Sequence, residues 1–550
     1  MATEKCLLLH ITASTITGNP YKDIEYPEWH AKTIYYAYFD KDGNQIGRAK
    51  RIKLHEGQIV PSSLADDIRN SQVIKVAWDA GKMRIYSSKL LEYPPNQYID
   101  LQSWVDIQLL AKINSCPADS IVKTASYYNI YSKNDLKSDR FPMILKIFKR
   151  LTKDRLVNLT RLSDFYVNQI INDSGVLINN KCLLAGVRLI GLYQDAITNF
   201  ALLYDYPIDS NAIKAELFEK YGVSDDESVY DLLDTERCGL TDIERDLIHI
   251  YRFINSNTVK AINNCAEKTC SDGRLRGSIS CWYDTITGRC GGTSFLEHHS
   301  YLINPDCYIE DINKINSVEI RDSEIIIYRL KTLLSMIIKF ETKKTVLDFS
   351  VVSEYNIAKL TNCNWRVGAI LDNDYLLKLR RQWDIVSASN DLIRKIDLQL
   401  SLGNYTYMLT KSQISRWKEF NKDVLLTWGK LMSIIYRVIK DGTQLSFCDI
   451  TFDYSSGILI ILLPTKRIIR LEIKICNHNL INADTDKPIT GDYIFKIIVL
   501  ALQRDYLTSV LHDLIESGFN VLYYTNTHIC LDDDRILPHS LATDPLIKID

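Results

Sequence analysis

The sequence predicts a mixed α/β (α+β) protein of several domains, and three observations carry that prediction. The chain has 550 residues, room for three or four cores at roughly 150 residues each. Apolar β-type runs occupy both ends of the chain, while the middle third repeats its apolar positions every three or four residues. Near the C-terminus, long helical stretches stopped by glycine alternate with short strands.

In chain order, CLLLHIT (6–12) and TIYYAYFD (33–40) read as strands, and DKDG (41–44) is a turn signal leading into another. A helix around 62–70 precedes the buried-strand run VIKVAW (73–78). After the charged stretch 132–141 the period changes: 155–205 carries apolar positions at three- and four-residue spacing, with Leu156, Leu159, Leu162, Phe165, Tyr166, Ile170 and Ile171 marking one run and a second amphipathic run covering 182–203. Short helices with acidic linkers fill 209–265. EIIIYRLKTLLSMIIKF (324–340) is a helix, and KKTVLDFSVV (343–352) is a strand carrying Asp348. A long helix covers 411–442, closed by Gly442. Strands at 444–452, 457–463 and 467–475 follow, then a helix at 493–518 and an apolar hairpin turning at Asn526-Thr527.

Composition excludes several classes. Hydrophobic residues are 46% and charged residues 24%, the balance of a globular protein, and the net charge is only −2. A nucleic-acid partner therefore needs a local patch, and 355–440 supplies one, with fourteen lysines and arginines against seven acidic residues. No apolar run approaches the 18 or so residues of a membrane span, so no membrane partner is expected. The N-terminus reads as a strand and not as a signal peptide. Thirteen scattered cysteines suit a reducing, cytoplasmic setting better than a disulfide framework. Cys265, Cys270, Cys281 and Cys290 lack the paired spacing of a structural zinc site and read as buried thiols.

Five segments in order resemble a family A DNA polymerase of the phage-type branch. They are NQIINDSGVLINNK (168–181), DGRLRGSISCWYDTITGRCGG (272–292), VLDFSVVSEYNIAKLTN (346–362), RWKEFNKDVLLTWGKLMSIIYRVIKDG (416–442) and the 493–531 helix and hairpin. The resemblance implies an RNase H-like 3′–5′ exonuclease-like domain over 1–150. It further implies a helical thumb-like region over 151–300 and palm and fingers over 301–550. It makes Asp348 the first metal-binding carboxylate, and Thr287 and Arg289 a nucleic-acid contact within Thr287-Gly288-Arg289. Arg394 and Lys395 become a phosphate contact from the fingers.

The resemblance also shows what is missing. Nucleotide transfer uses two divalent ions about 4 Å apart, held by carboxylates from separate strands. Where the family has its second acidic pair, this chain has Thr527 and His528. Ser353 replaces a glutamate, Leu398 a lysine and Leu500 a glutamine, while Arg504 and Asp505 remain. In the proofreading site His10 and Thr12 stand for the first two carboxylates and Met83 for a third, leaving Asp100 alone in a family-like position. The expectation is a degenerate polymerase fold without a cofactor, acting as a DNA-binding or protein-binding component. Two alternatives stand beside it. One is an active polymerase using magnesium on Asp348 with Asp532 or Asp533; the other is an assembly scaffold that does not touch nucleic acid.

Overall fold

The computed structural model describes residues 5–349 and 422–549, apart from 41–42, 114–115, 117–119, 131–139, 153–162, 207, 222–238, 293–304, 448, 477–478, 484–485, 487 and 545–546. Ser353, Arg394, Lys395, Leu398 and the basic stretch up to 421 lie outside the described residues.

The N-terminal part places β1 (Cys6–Ala13), β2 (Ala31–Phe39), β3 (Gln45–Lys53), β4 (Ile74–Ala77) and β5 (Trp104–Asp106) in one sheet of order β3-β2-β1-β4-β5. β1 pairs antiparallel with β2 and parallel with β4, which in turn pairs parallel with β5. α1 (Ser62–Arg69), α2 (Ala80–Leu90), α3 (Ile107–Ile113) and α4 (Phe141–Leu151) accompany it. The continuous apolar run of β1 is explained by burial on both faces. Leu7, Leu9 and Ile11 pack with Leu64 and Met83 on one side, and Leu8 packs with Val76, Phe141 and Ile144 on the other.

In the middle third Leu156, Leu159 and Leu162 lie outside the described residues, and the two apolar runs form separate helices. α5 (Ser163–Ser174) ends at Gly175, which has φ +64° and lies against Leu275, where a Cβ would come 2.9 Å from the carbonyl oxygen. The two-residue strand β6 (Val176–Leu177) follows, and α6 (Asn180–Tyr204) starts afresh with Asn179 as N-cap. α7 (Asp242–Asn255), opened by a Thr241–Glu244 capping box, and α8 (Asn257–Lys268) pack beside it. β6 pairs with β7 (Arg274–Leu275), and β8 (Ile279–Ser280) with β9 (Gly291–Gly292). α9 (Ser323–Ser335) stops earlier than its apolar pattern suggested, because Ile338 leaves the helix to form a bridge with Ile178.

β10 (Lys344–Asp348) then enters a second sheet. After α10 (Lys422–Asp441), an antiparallel meander runs through β11 (Leu445–Phe447), β12 (Ile450–Ser455), β13 (Ile458–Leu462), β14 (Ile468–Cys476) and β15 (Asn479–Asn482). The single strand expected over 444–452 is thus two short strands paired as a hairpin. α11 (Gly491–Glu516) begins at a close helix crossing: a Cβ on Gly491 would lie 2.4 Å from the Trp428 carbonyl oxygen. β16 (Val521–Tyr524) and β17 (His528–Asp532) form the final hairpin, and with β18 (Lys548–Ile549) they give a sheet of order β16-β17-β10-β18.

The core that holds this last sheet is shared with the middle helices, since Leu347 and Ile529 belong to one cluster with Leu189, Tyr251 and Leu330. The N-terminal part is fastened to it through Asp173, which accepts from Tyr21 Oη at 2.6 Å and pairs with the fully buried Arg84. Asn19 Nδ2 also donates to Arg276 O at 2.9 Å. Among the described residues no helix is long and apolar enough to cross a membrane.

Candidate functional site

Asp348 ends β10, and the antiparallel register sets it opposite His528 at the start of β17. His528 Nε2 lies 3.4 Å from Asp348 Oδ1, and Nδ1 lies 2.8 Å from Thr527 Oγ1. Asp348, Thr527 and His528, singled out from widely separated motifs, are therefore brought together in one polar row. The turn beneath is built by Thr525, whose hydroxyl accepts from the amides of Thr527 and His528. Phe349 N donates to Thr527 O at 2.7 Å, tying the strand end to the turn.

Magnesium takes hard oxygen ligands in near-octahedral geometry, and the group aimed at Asp348 among the described residues is an imidazole. Asp532 is paired with Lys344, four residues down the ladder from Asp348, so it stands about 14 Å away along the strand. Its carboxylate accepts from Glu341 N, Thr342 N and the Thr342 hydroxyl. Asp533 is held by Arg535, whose guanidinium keeps that carboxyl well below the usual range. Both carboxylates are thus engaged away from Asp348 in this geometry.

The Thr287-Gly288-Arg289 segment is held from two sides. Thr287 is buried and its hydroxyl donates to Asp284. Gly288 has φ +71° and sits under the Arg467 guanidinium, which a Cβ would meet at 2.4 Å. Arg504 Nε donates to Gly288 O at 3.1 Å and Arg467 Nη2 to Ile286 O at 3.1 Å. These two guanidiniums lie 4.9 and 4.5 Å from the ring centre of Trp282, whose Nε1 donates to Asp164 at 2.6 Å. Asp505 accepts from both arginines and from Thr465. Arg289 is half-buried, and its Nε has no hydrogen-bond partner among the described residues.

The described residues of the N-terminal sheet are apolar or neutral where the resemblance implies carboxylates. His10 lies beside Tyr35 with ring centres 6.3 Å apart, and Thr12 Oγ1 donates to Thr33 O at 3.4 Å. Met83 is buried, and its Sδ accepts from Ile11 N at 3.1 Å, so a thioether fills the space beside β1. Asp100 is exposed and accepts from Gln102 N.

Sequence reasoning missed three polar groups. Asp79 caps α2, and Asp106 accepts from Ala80 N at 2.8 Å and Leu109 N at 3.1 Å, capping α2 and α3 together. Burial, reinforced by the charge of Asp79, pushes the Asp106 carboxyl up to about 7. Gln503 is buried and donates to Phe349 O at 3.1 Å, beside Asp348, whereas Leu500 is simply a buried apolar residue. A lone amide inside the apolar run IIVLALQ was the available signal.

Burial pushes the Cys265 and Cys270 thiols up to about 11, away from the thiolate form that binds zinc. Among the described residues, the one group of three such side chains with ligand atoms within 4.8 Å of one another is His512, Asp513 and Glu516.

No protein-family profile matches the chain, and no curated protein matches it. Solved structures do. The POL domain of Pol1 from M. smegmatis, in complex with DNA primer-template and dNTP, aligns over 96% of this chain and 88% of its own, with a TM-score of 0.56 and 11% identity. The chain has a DNA polymerase-like fold. At that identity the likeness extends to the fold alone.

Proposed function

We propose that this protein keeps the polymerase scaffold without nucleotidyl transfer and acts as a nucleic-acid-binding or protein-binding component. The observation that carries the proposal is the imidazole of His528 facing Asp348, where a two-metal site requires a second carboxylate. One carboxylate beside an imidazole supplies too little hard anionic charge to hold two magnesium ions. The thioether of Met83 against β1 argues the same way for the proofreading site.

In this reading residues 1–150 are a degenerate exonuclease-like domain of RNase H type, 151–300 a thumb-like region, and 301–550 the palm and fingers. The likeness to a protein solved with primer-template supports DNA as the partner. Arg289, half-buried beside the Gly288 clamp, is the contact assigned to a backbone in this reading. The described cysteines are free thiols, which suits a reducing compartment.

Binding to a primed DNA template across a salt series tests the partner. The proposal expects affinity that falls as salt rises, and an Arg289→Ala variant that binds several-fold more weakly. Absence of binding at low salt leaves a protein scaffold as the function.

A further inference from the structure

Beside the Trp282 cluster lies a cleft of about 760 Å³ whose lining includes Arg504 and Asp505 but not Asp348, Thr287, Arg289 or His528. Its walls come from distant parts of the chain: Ile113 on α3, Asp164 on α5, the turn between β13 and β14, and the face of α11 carrying Thr508, Ser509 and His512. The turn presents Lys466, exposed and at φ +65°, and Arg470 follows on β14.

The charges of this cleft divide into two sets. Arg467 and Arg504 are spent on Asp505, Asp164 and two backbone carbonyls, and they form a fixed floor over Trp282. Lys466 and Arg470 have no ion pair or side-chain hydrogen bond among the described residues, and both line the open space. Asp513 is the remaining carboxylate of the lining, at the end marked by His512, which itself pairs with Glu516. The unspent charge at the β13–β14 end is therefore positive, with the Thr508 and Ser509 side chains on the opposite wall.

We infer that this cleft binds the phosphate backbone of a single nucleic-acid strand, with Lys466 and Arg470 as the phosphate contacts. The inference rests on the nucleic-acid-binding reading above and assigns it a second site, away from Asp348 and His528. Size selects a single strand, since the cleft is of the volume that encloses a nucleotide-sized group. The floor selects backbone over base. Trp282 is buried with Arg467 and Arg504 against its ring, so no aromatic face is offered for stacking. Recognition is then by charge, tolerant of sequence and sensitive to salt.

The test is fluorescence anisotropy of a labelled oligothymidine of about 16 nucleotides, titrated with the full chain from about 50 to about 200 mM salt. Duplex DNA and dTTP serve as competitors. Lys466→Glu with Arg470→Glu is expected to weaken single-strand binding at least about tenfold and to reduce the salt slope by about 1.4, two contacts' worth. Ser509→Glu, on the opposite wall, is expected to weaken it as well, and all variants should keep the wild-type melting temperature. Unchanged affinity and slope in the folded double variant overturn the cleft while leaving the nucleic-acid reading intact. Failure of the wild type to bind any strand at low salt overturns both. Displacement of the oligonucleotide by equimolar dTTP also overturns the proposal, making the cleft a mononucleotide site.

Discussion

Asp348 and His528 are register partners across the β10–β17 ladder, with Oδ1 and Nε2 3.4 Å apart. In a sheet where the next cross-strand positions, Leu347 and Ile529, are fully buried, a one-residue slip would drive both polar groups into the core. The register that protects the core thereby fixes an imidazole against the carboxylate.

Exchanging that imidazole for a carboxylate should create the missing charge. In His528→Asp, two acidic groups stand opposite each other, a destabilising arrangement without a counter-ion. The expected result is a lower melting temperature in chelator and a recovery with millimolar manganese that wild type does not show. Thermal melts with and without the ion check it; equal response in both proteins contradicts it.

Gly288→Ala should loosen the Thr287–Arg289 segment. The new Cβ meets the Arg467 guanidinium and must adopt φ +71°, a strained conformation for alanine. A loss of about 1–3 kcal/mol is expected in chemical denaturation, together with weaker DNA binding through the displaced Arg289.

Asp173 holds the N-terminal part to the helices. Asp173→Ala strips the buried Arg84 of its carboxylate and Tyr21 of its acceptor. Removing one partner of such a buried pair costs about 3–5 kcal/mol. Limited proteolysis should then release a fragment from the N-terminal part that wild type protects.

Asp106 gives the N-terminal sheet a pH dependence. Its carboxyl is pushed up to about 7 by burial, so the folded state holds a proton that the unfolded chain releases near pH 4. Its contribution is present below pH 4 and declines as pH rises toward 7, by at most about 1.4 kcal/mol per unit. Asp106→Asn should flatten that slope, at the cost of one helix-capping acceptor, in melts of the full chain between pH 4 and 8.

What the sequence made legible was local. Alternation and glycine stops located β10, α11 and the final hairpin, including its turn at Asn526 and Thr527. Gly518, at φ +77°, ends the helix where its position suggested. One local reading failed where a tertiary partner intervened, at Ile338 against Ile178. The Trp282 cluster was invisible because it joins Asp164, Arg467 and Arg504, residues far apart in the chain that no periodicity connects. Asp106 escaped notice because its role depends on two helix N-termini that only the folded sheet brings together.

Primer extension tests the central claim most directly, using the 550-residue chain, a primed template, all four dNTPs and either magnesium or manganese. No primer elongation is expected with either ion, although the same template is bound. Elongation that disappears in Asp348→Ala would contradict the account, because it requires a working metal cradle around that aspartate.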